Sequence, residues 1–246
     1  MVASLGSLIG DPEKGNSGVL SYWKSWMVRL AFCVVWFGVT SIAIILIFVV
    51  LALLGMSESF SMHLSISFSY LIAIPLTLLF MQVEKQLPDL PGKFSIDSAK
   101  QALVLLLAIP VLVTIVDFVV VIVYGIGYEF IFGIPEVPTD IGVDWGSGPV
   151  ALGLVIISTV IIAPIAEELM FRGYLLDSIR KMHGDWFAVV ISALLFGIVH
   201  FEPYTVGMAA IGGLIYGYVR VKTGSLWPSI IGHMIWNGIA LIVTYL

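Results

Sequence analysis

The chain is short of charge. Of its 246 residues only 11% are Asp, Glu, Lys or Arg, against 60% hydrophobic, and the mean hydropathy is +1.09. Soluble domains carry about a quarter charged residues, so this scarcity excludes a soluble globular protein and points to an integral membrane protein. Cysteine is represented by Cys33 alone. That excludes an intrachain disulfide, and its apolar setting reads as a small packed residue. There is no basic run and the net charge is −5, which argues against nucleic acid as a partner. The first 26 residues, polar around Asp11, Pro12, Glu13, Lys14, Gly15 and Asn16, lack a signal-peptide pattern, so the first span itself is expected to direct insertion. No soluble-type repeat is visible.

What the chain has instead is apolar runs. Its length holds roughly six to eight spans of about 20 residues and leaves no room for a separate soluble domain. Such runs fall near 27–54, 64–83, 101–124, 150–170, 186–202, 206–221 and 226–246. The connections 84–100, with Pro88 and Pro91, and 125–148, with Pro135, Pro138 and several glycines, read as irregular. The expected architecture is an all-α, polytopic transmembrane bundle of about seven spans forming one integral membrane domain over 1–246. Its parts are a polar N-terminal segment (1–26), three N-terminal spans (27–124) and a C-terminal group of spans (150–246).

The positive charges orient it. Lys14, Lys24 and Arg29, then Lys85, Lys93 and Lys100, then Arg172, Arg180 and Lys181, then Arg220 and Lys222 occupy alternate connections. The intervening loops carry Glu58, then Glu129, Glu136, Asp140 and Asp144, then Glu202, and no Lys or Arg. With seven spans all 11 basic residues fall on one side, which the positive-inside rule makes cytoplasmic, with the N-terminus inside. Six spans, with one short segment re-entrant, is the alternative. Ala209, Gly213 and Gly217 put small residues on one face of the sixth run, a pattern that lets helices pack closely.

Scarce charges inside apolar helices mark the places to examine for function. Glu167, Glu168 and Arg172 stand together in the fourth run, with Pro164 one turn earlier, where it can kink the helix. Glu168 and Arg172 lie one turn apart, acid first, and are expected to neutralise each other. Glu167 points about 100° away and is left to face something else. His200 follows Phe196 by one turn, and Asn237 follows His233 by one turn. With the hairpin turn near His183-Gly184, Glu167 and His200 stand level, roughly 25 Å from it at 1.5 Å per residue. Asp117 is a further intramembrane acid, read as a structural carboxylate bonded to Thr114 or as part of a proton relay.

A carboxylate and an imidazole converging on one water can make it nucleophilic. A second imidazole and a carboxamide are natural donors to a developing oxyanion. Together these groups suit hydrolysis of an amide bond. Serine or cysteine catalysis fits less well: Cys33 is remote and no Gly-x-Ser-x-Gly occurs, although Ser192 and Ser229 lie in the region. Zinc held by two histidines and a glutamate is the rival on residues alone, although no His-Glu-x-x-His is present.

The set Glu167-Glu168-x-x-x-Arg172, Phe196-x-x-x-His200 and His233-x-x-x-Asn237 resembles the three-motif signature of the CAAX protease and bacteriocin-processing family of intramembrane glutamic proteases, over roughly 150–240. The resemblance implies that Glu167 and His200 activate a water and that His233 and Asn237 form the oxyanion hole. It implies that Glu168, Arg172 and Phe196 support them and that no metal or other cofactor is required. The implied partners are the bilayer and a membrane-associated peptide or protein substrate, with or without an attached lipid, at a site toward the cytoplasmic half. Two other functions stay open: a non-catalytic peptide-binding, immunity or regulatory protein, and a proton-coupled transporter using Asp117.

Overall fold

The computed structural model describes residues 12–85, 87, 90–135 and 148–245, with backbone alone for 12–25, 91, 148, 244 and 245. Pro88, Glu136, Pro138, Asp140 and Asp144 therefore lie outside the described residues, as do the side chains of Lys14, Lys24 and Pro91. Each of the seven apolar runs falls on a helix: α1 (Pro12–Leu53), α2 (Glu58–Val83), α3 (Ala99–Phe132), α4 (Pro149–His183), α5 (Asp185–Ile198), α6 (Pro203–Thr223) and α7 (Trp227–Tyr245). A one-turn helix, Leu90–Phe94, lies between α2 and α3. No strand occurs among the described residues. The protein is thus an all-α, multi-pass integral membrane protein. It divides into two compact units, 1–38 and 39–246, and every candidate site residue belongs to the second.

Among the described residues four helices are long and apolar enough to cross a bilayer: Trp26–Leu53 within α1, then α2, α3 and α4. α5 has 14 residues, about 21 Å at 1.5 Å per residue and short of a hydrocarbon core of about 30 Å. α5 and α6 form an antiparallel pair through their small residues. A Cβ on Gly197 would meet the Val206 carbonyl oxygen at 2.6 Å, and one on Gly213 would meet Ala193 Cα at 2.8 Å. Gly217 rests on Val189 and Leu176. The expected small-residue face is therefore a packing face.

The corners explain the helix limits. Gly184 has φ +80° between α4 and α5, a conformation glycine adopts without steric cost, and it places the turn where the sequence put it. The α5–α6 corner holds Phe201 at φ +60°. Pro203 then opens α6, where the Glu202 carboxylate caps the Tyr204 and Thr205 amides. These bonds, led by the Thr205 hydroxyl, hold the Glu202 carboxyl below its ordinary range.

The Leu90–Phe94 turn is clamped to the C-terminal helices. Lys93 Nζ and Arg220 Nη2 each lie 2.8 Å from Asp177 Oδ2. Lys93 Nζ also donates to the Gly173 carbonyl at 2.7 Å, and its own carbonyl accepts the Leu226 amide at 2.8 Å. Burial pulls the Lys93 ammonium below its ordinary value, with the Asp177 carboxylate pushing back.

Candidate active site

The site begins with the backbone of α4. Two stretches, Ile156–Ile162 and Leu169–Leu175, are π-helical, and Glu167 and Glu168 sit in the α-helical segment between them. Such widened turns are uncommon and collect at functional sites. The first ends in a specific vacancy. Ala163 N–H bonds the Ser158 carbonyl, five residues back. The next donor in that pattern would be residue 164, a proline with no N–H, which leaves the Thr159 carbonyl open. Asn237 fills it, donating from Nδ2 at 2.9 Å. Pro164 therefore does more than kink the helix: it frees the acceptor that docks Asn237.

Glu168 and Arg172 pair as their spacing implied. Arg172 Nη1 lies 2.9 Å from Glu168 Oε1, and both side chains are fully buried. The guanidinium also lies over the Phe196 ring, 4.4 Å from its centroid, a favourable cation–π placement. Phe196 thus joins the motifs physically. His200 meets this ring edge-on at 5.1 Å, His233 at 5.8 Å and Phe171 at 5.0 Å between centroids.

Glu167 faces away from the pair, again as the spacing implied. Its Oε1 accepts the Tyr70 hydroxyl from α2, and its Oε2 lies 3.9 Å from His233 Nε2. The other nitrogen of His233, Nδ1, is 3.1 Å from Glu168 Oε1. His233 therefore stands between the two glutamates. An ionised carboxylate only accepts, so Nδ1 carries a proton toward Glu168, and Nε2 is the nitrogen turned to Glu167. Tyr216 stacks on His233 with ring centroids 5.7 Å apart.

His200 sits just past the end of α5, in the corner, half-buried. Its Nδ1 is 2.8 Å from the Phe196 carbonyl, so in the neutral ring Nδ1 is the donor and Nε2 keeps a free lone pair. The contacts of Glu167 are thus with Tyr70 and His233, while His200 joins His233 and Asn237 on the wall of a cavity of about 240 Å³. Asp117, Tyr216 and Trp236 line the same cavity. Thr114 does not bond Asp117: its hydroxyl goes to the carbonyls of Pro110 and Gly232, which corrects that expectation.

Ser192 and Ser229 are buried and donate to the carbonyls of Phe171 and Tyr216, so both act as interhelical ties. No three His, Cys, Asp or Glu side chains group as a metal-ligand set among the described residues. Sequence reasoning missed Tyr70, Tyr216 and Thr159. A signal for α2 was available: serines at 59, 61, 65, 67 and 69 with His63 and Tyr70 interrupt an apolar helix. His63 Nδ1 lies 3.2 Å from Ser158 Oγ, so α2 meets α4 through its polar residues at two levels.

The residues 149–239 match the model of the family described as "Type II CAAX prenyl endopeptidase Rce1-like". A curated protein of Bacillus subtilis (strain 168), "Putative membrane peptidase YdiL", is 29% identical over 93 residues. That alignment covers 38% of this chain and 38% of the relative, so the chain spans well under half the length of the curated protein it matches. No solved structure matches. The matched segment contains every motif residue from Glu167 to Asn237 and bears out the family resemblance read from the three motifs.

Proposed function

We propose that this protein is an intramembrane peptidase of the glutamic type, hydrolysing a peptide bond of a membrane-associated peptide or protein without a metal. The observation that supports it best is the convergence of His233 on both Glu167 and Glu168, with Asn237 and His200 on the adjoining cavity wall. Three segments of the chain, distant in sequence, meet there.

In this reading Glu167 and His200 flank the water. Glu167, its other oxygen held by Tyr70, takes a proton as the water oxygen attacks the substrate carbonyl, and His200 Nε2 supplies a second base. The tetrahedral oxyanion is met by His233 Nε2–H, with Glu168 steadying the imidazolium through Nδ1, and by the second N–H of the Asn237 amide. A carboxamide has two such donors, and Thr159 takes one. The proton then passes to the leaving amine as the C–N bond breaks, so atoms and charge balance. Arg172 and Phe196 hold Glu168 and the two histidines in place. The cytoplasmic half of the bilayer, the side to which the basic loops were assigned, is the proposed depth.

Purified protein in detergent or liposomes should cleave membrane-associated peptides. Glu167→Gln should lower kcat by about 10²–10⁴, the range for a general base, and a strong chelator should leave the rate unchanged. Equal cleavage by wild type and Glu167→Gln overturns the glutamate assignment. Loss of activity on chelation, restored by zinc, overturns metal independence.

A further inference from the structure

The Asp117 carboxyl plays no part in the proposed hydrolysis, yet it lines the same cavity as His200, His233 and Asn237. Asp117 is 2% exposed, and its Oδ1 has no hydrogen-bond partner among the described residues. Tyr216 and His233 are polar neighbours of its carboxyl, and Gly212 lies beneath it, where a Cβ would come within 3.3 Å of Oδ2. The lining joins the apolar or aromatic Phe196, Met208, Ala209 and Trp236 to Thr205 and to the histidines and asparagine of the site. A buried carboxyl that lacks a full set of partners is costly, and such a group at bilayer depth marks a place to look for function.

The charge balance says which ligand. Arg172 is committed to Glu168, His233 stands between the two glutamates, and among the described residues no ion pair reaches Asp117. The cavity thus presents one acid without a paired cation, Asp117, among aromatic faces, and both features favour a cation. Its volume of about 240 Å³ suits one side chain.

Building on the peptidase reading, we propose that this cavity is a recognition pocket for a basic side chain of the substrate, lysine or arginine, with Asp117 as its counter-charge and Gly212 keeping the carboxylate uncovered. The bound residue's ammonium or guanidinium pairs with Asp117 while its chain places the neighbouring peptide bond near His200, His233 and Asn237. The specificity of the enzyme is then set by a residue on α3, outside the segment that carries the motifs.

Peptide pairs identical except for lysine or the uncharged norleucine, moved position by position, test this. Wild-type protein should prefer lysine in kcat/KM at one position by roughly ten- to hundredfold, the worth of a hydrogen bond to a charged group. Asp117→Asn should bring that ratio close to one, and Gly212→Ala should lower it by crowding the carboxylate. A merely structural acid would instead lower both peptides together and keep the ratio, which overturns the proposal. The same pairs, fluorescently labelled and titrated onto Glu167→Gln protein, separate the two readings. Asp117-dependent preference for lysine in binding, without cleavage by wild type, supports the pocket and sinks the peptidase. Cleavage without any lysine preference does the reverse.

Discussion

At the scale of single residues, the adjacent glutamates meet different surroundings because one residue of helix turns them to different neighbours. Glu168 meets Arg172 and His233 in full burial, whereas Glu167 is half-buried between Tyr70 and His233. Their amide variants should therefore separate. Glu167→Gln should fold as wild type and lose turnover. Glu168→Gln removes the counter-charge of a fully buried arginine, a loss of about 3–5 kcal/mol. It should lower the thermal unfolding midpoint in detergent or reduce the yield of folded protein. A Glu168→Gln protein as stable as wild type would show that the rings of Phe196 and Tyr216, 4.4 and 5.9 Å from the guanidinium, can hold the Arg172 charge.

Among the elements, the sequence made the helices and the turn at Gly184 legible because apolar runs and basic connections carry that information directly. The Glu168–Arg172 pairing was legible for a similar reason: it is local, one turn apart on one helix. Contacts between distant segments were not. Tyr70 with Glu167 spans 97 positions and Asn237 with Thr159 spans 78, and nothing in composition or period joins them. The π-helical turns of α4 were hidden as well, since the motif spacing reads the same on a regular helix. The close α5–α6 contact is an element-scale property with its own test. Gly197→Ala drives a methyl into the Val206 carbonyl, so overpacking of about 1–3 kcal/mol is expected. Loss of folded yield at Gly197→Ala, with little change at the open Gly153, would confirm that backbone contact sets the spacing.

For the molecule as a whole, the recognisable motifs lie in 149–239, but the groups that complete them are spread further. Tyr70 reaches Glu167 from α2, Thr114 bonds the Gly232 carbonyl from α3, Asp117 closes the cavity from α3, and Lys93 shares Asp177 with Arg220. The candidate site is thus shared between the part of the chain that carries a signature and the part that carries none. One consequence concerns portability. Residues 148–246 made alone would keep every motif and still lack the phenol, the cavity's carboxylate and the lysine that fasten them. That fragment should be inactive by itself and should regain peptide cleavage when 1–135 is supplied as a separate chain. The motif-bearing piece could then be swapped between relatives only together with the helices it leans on.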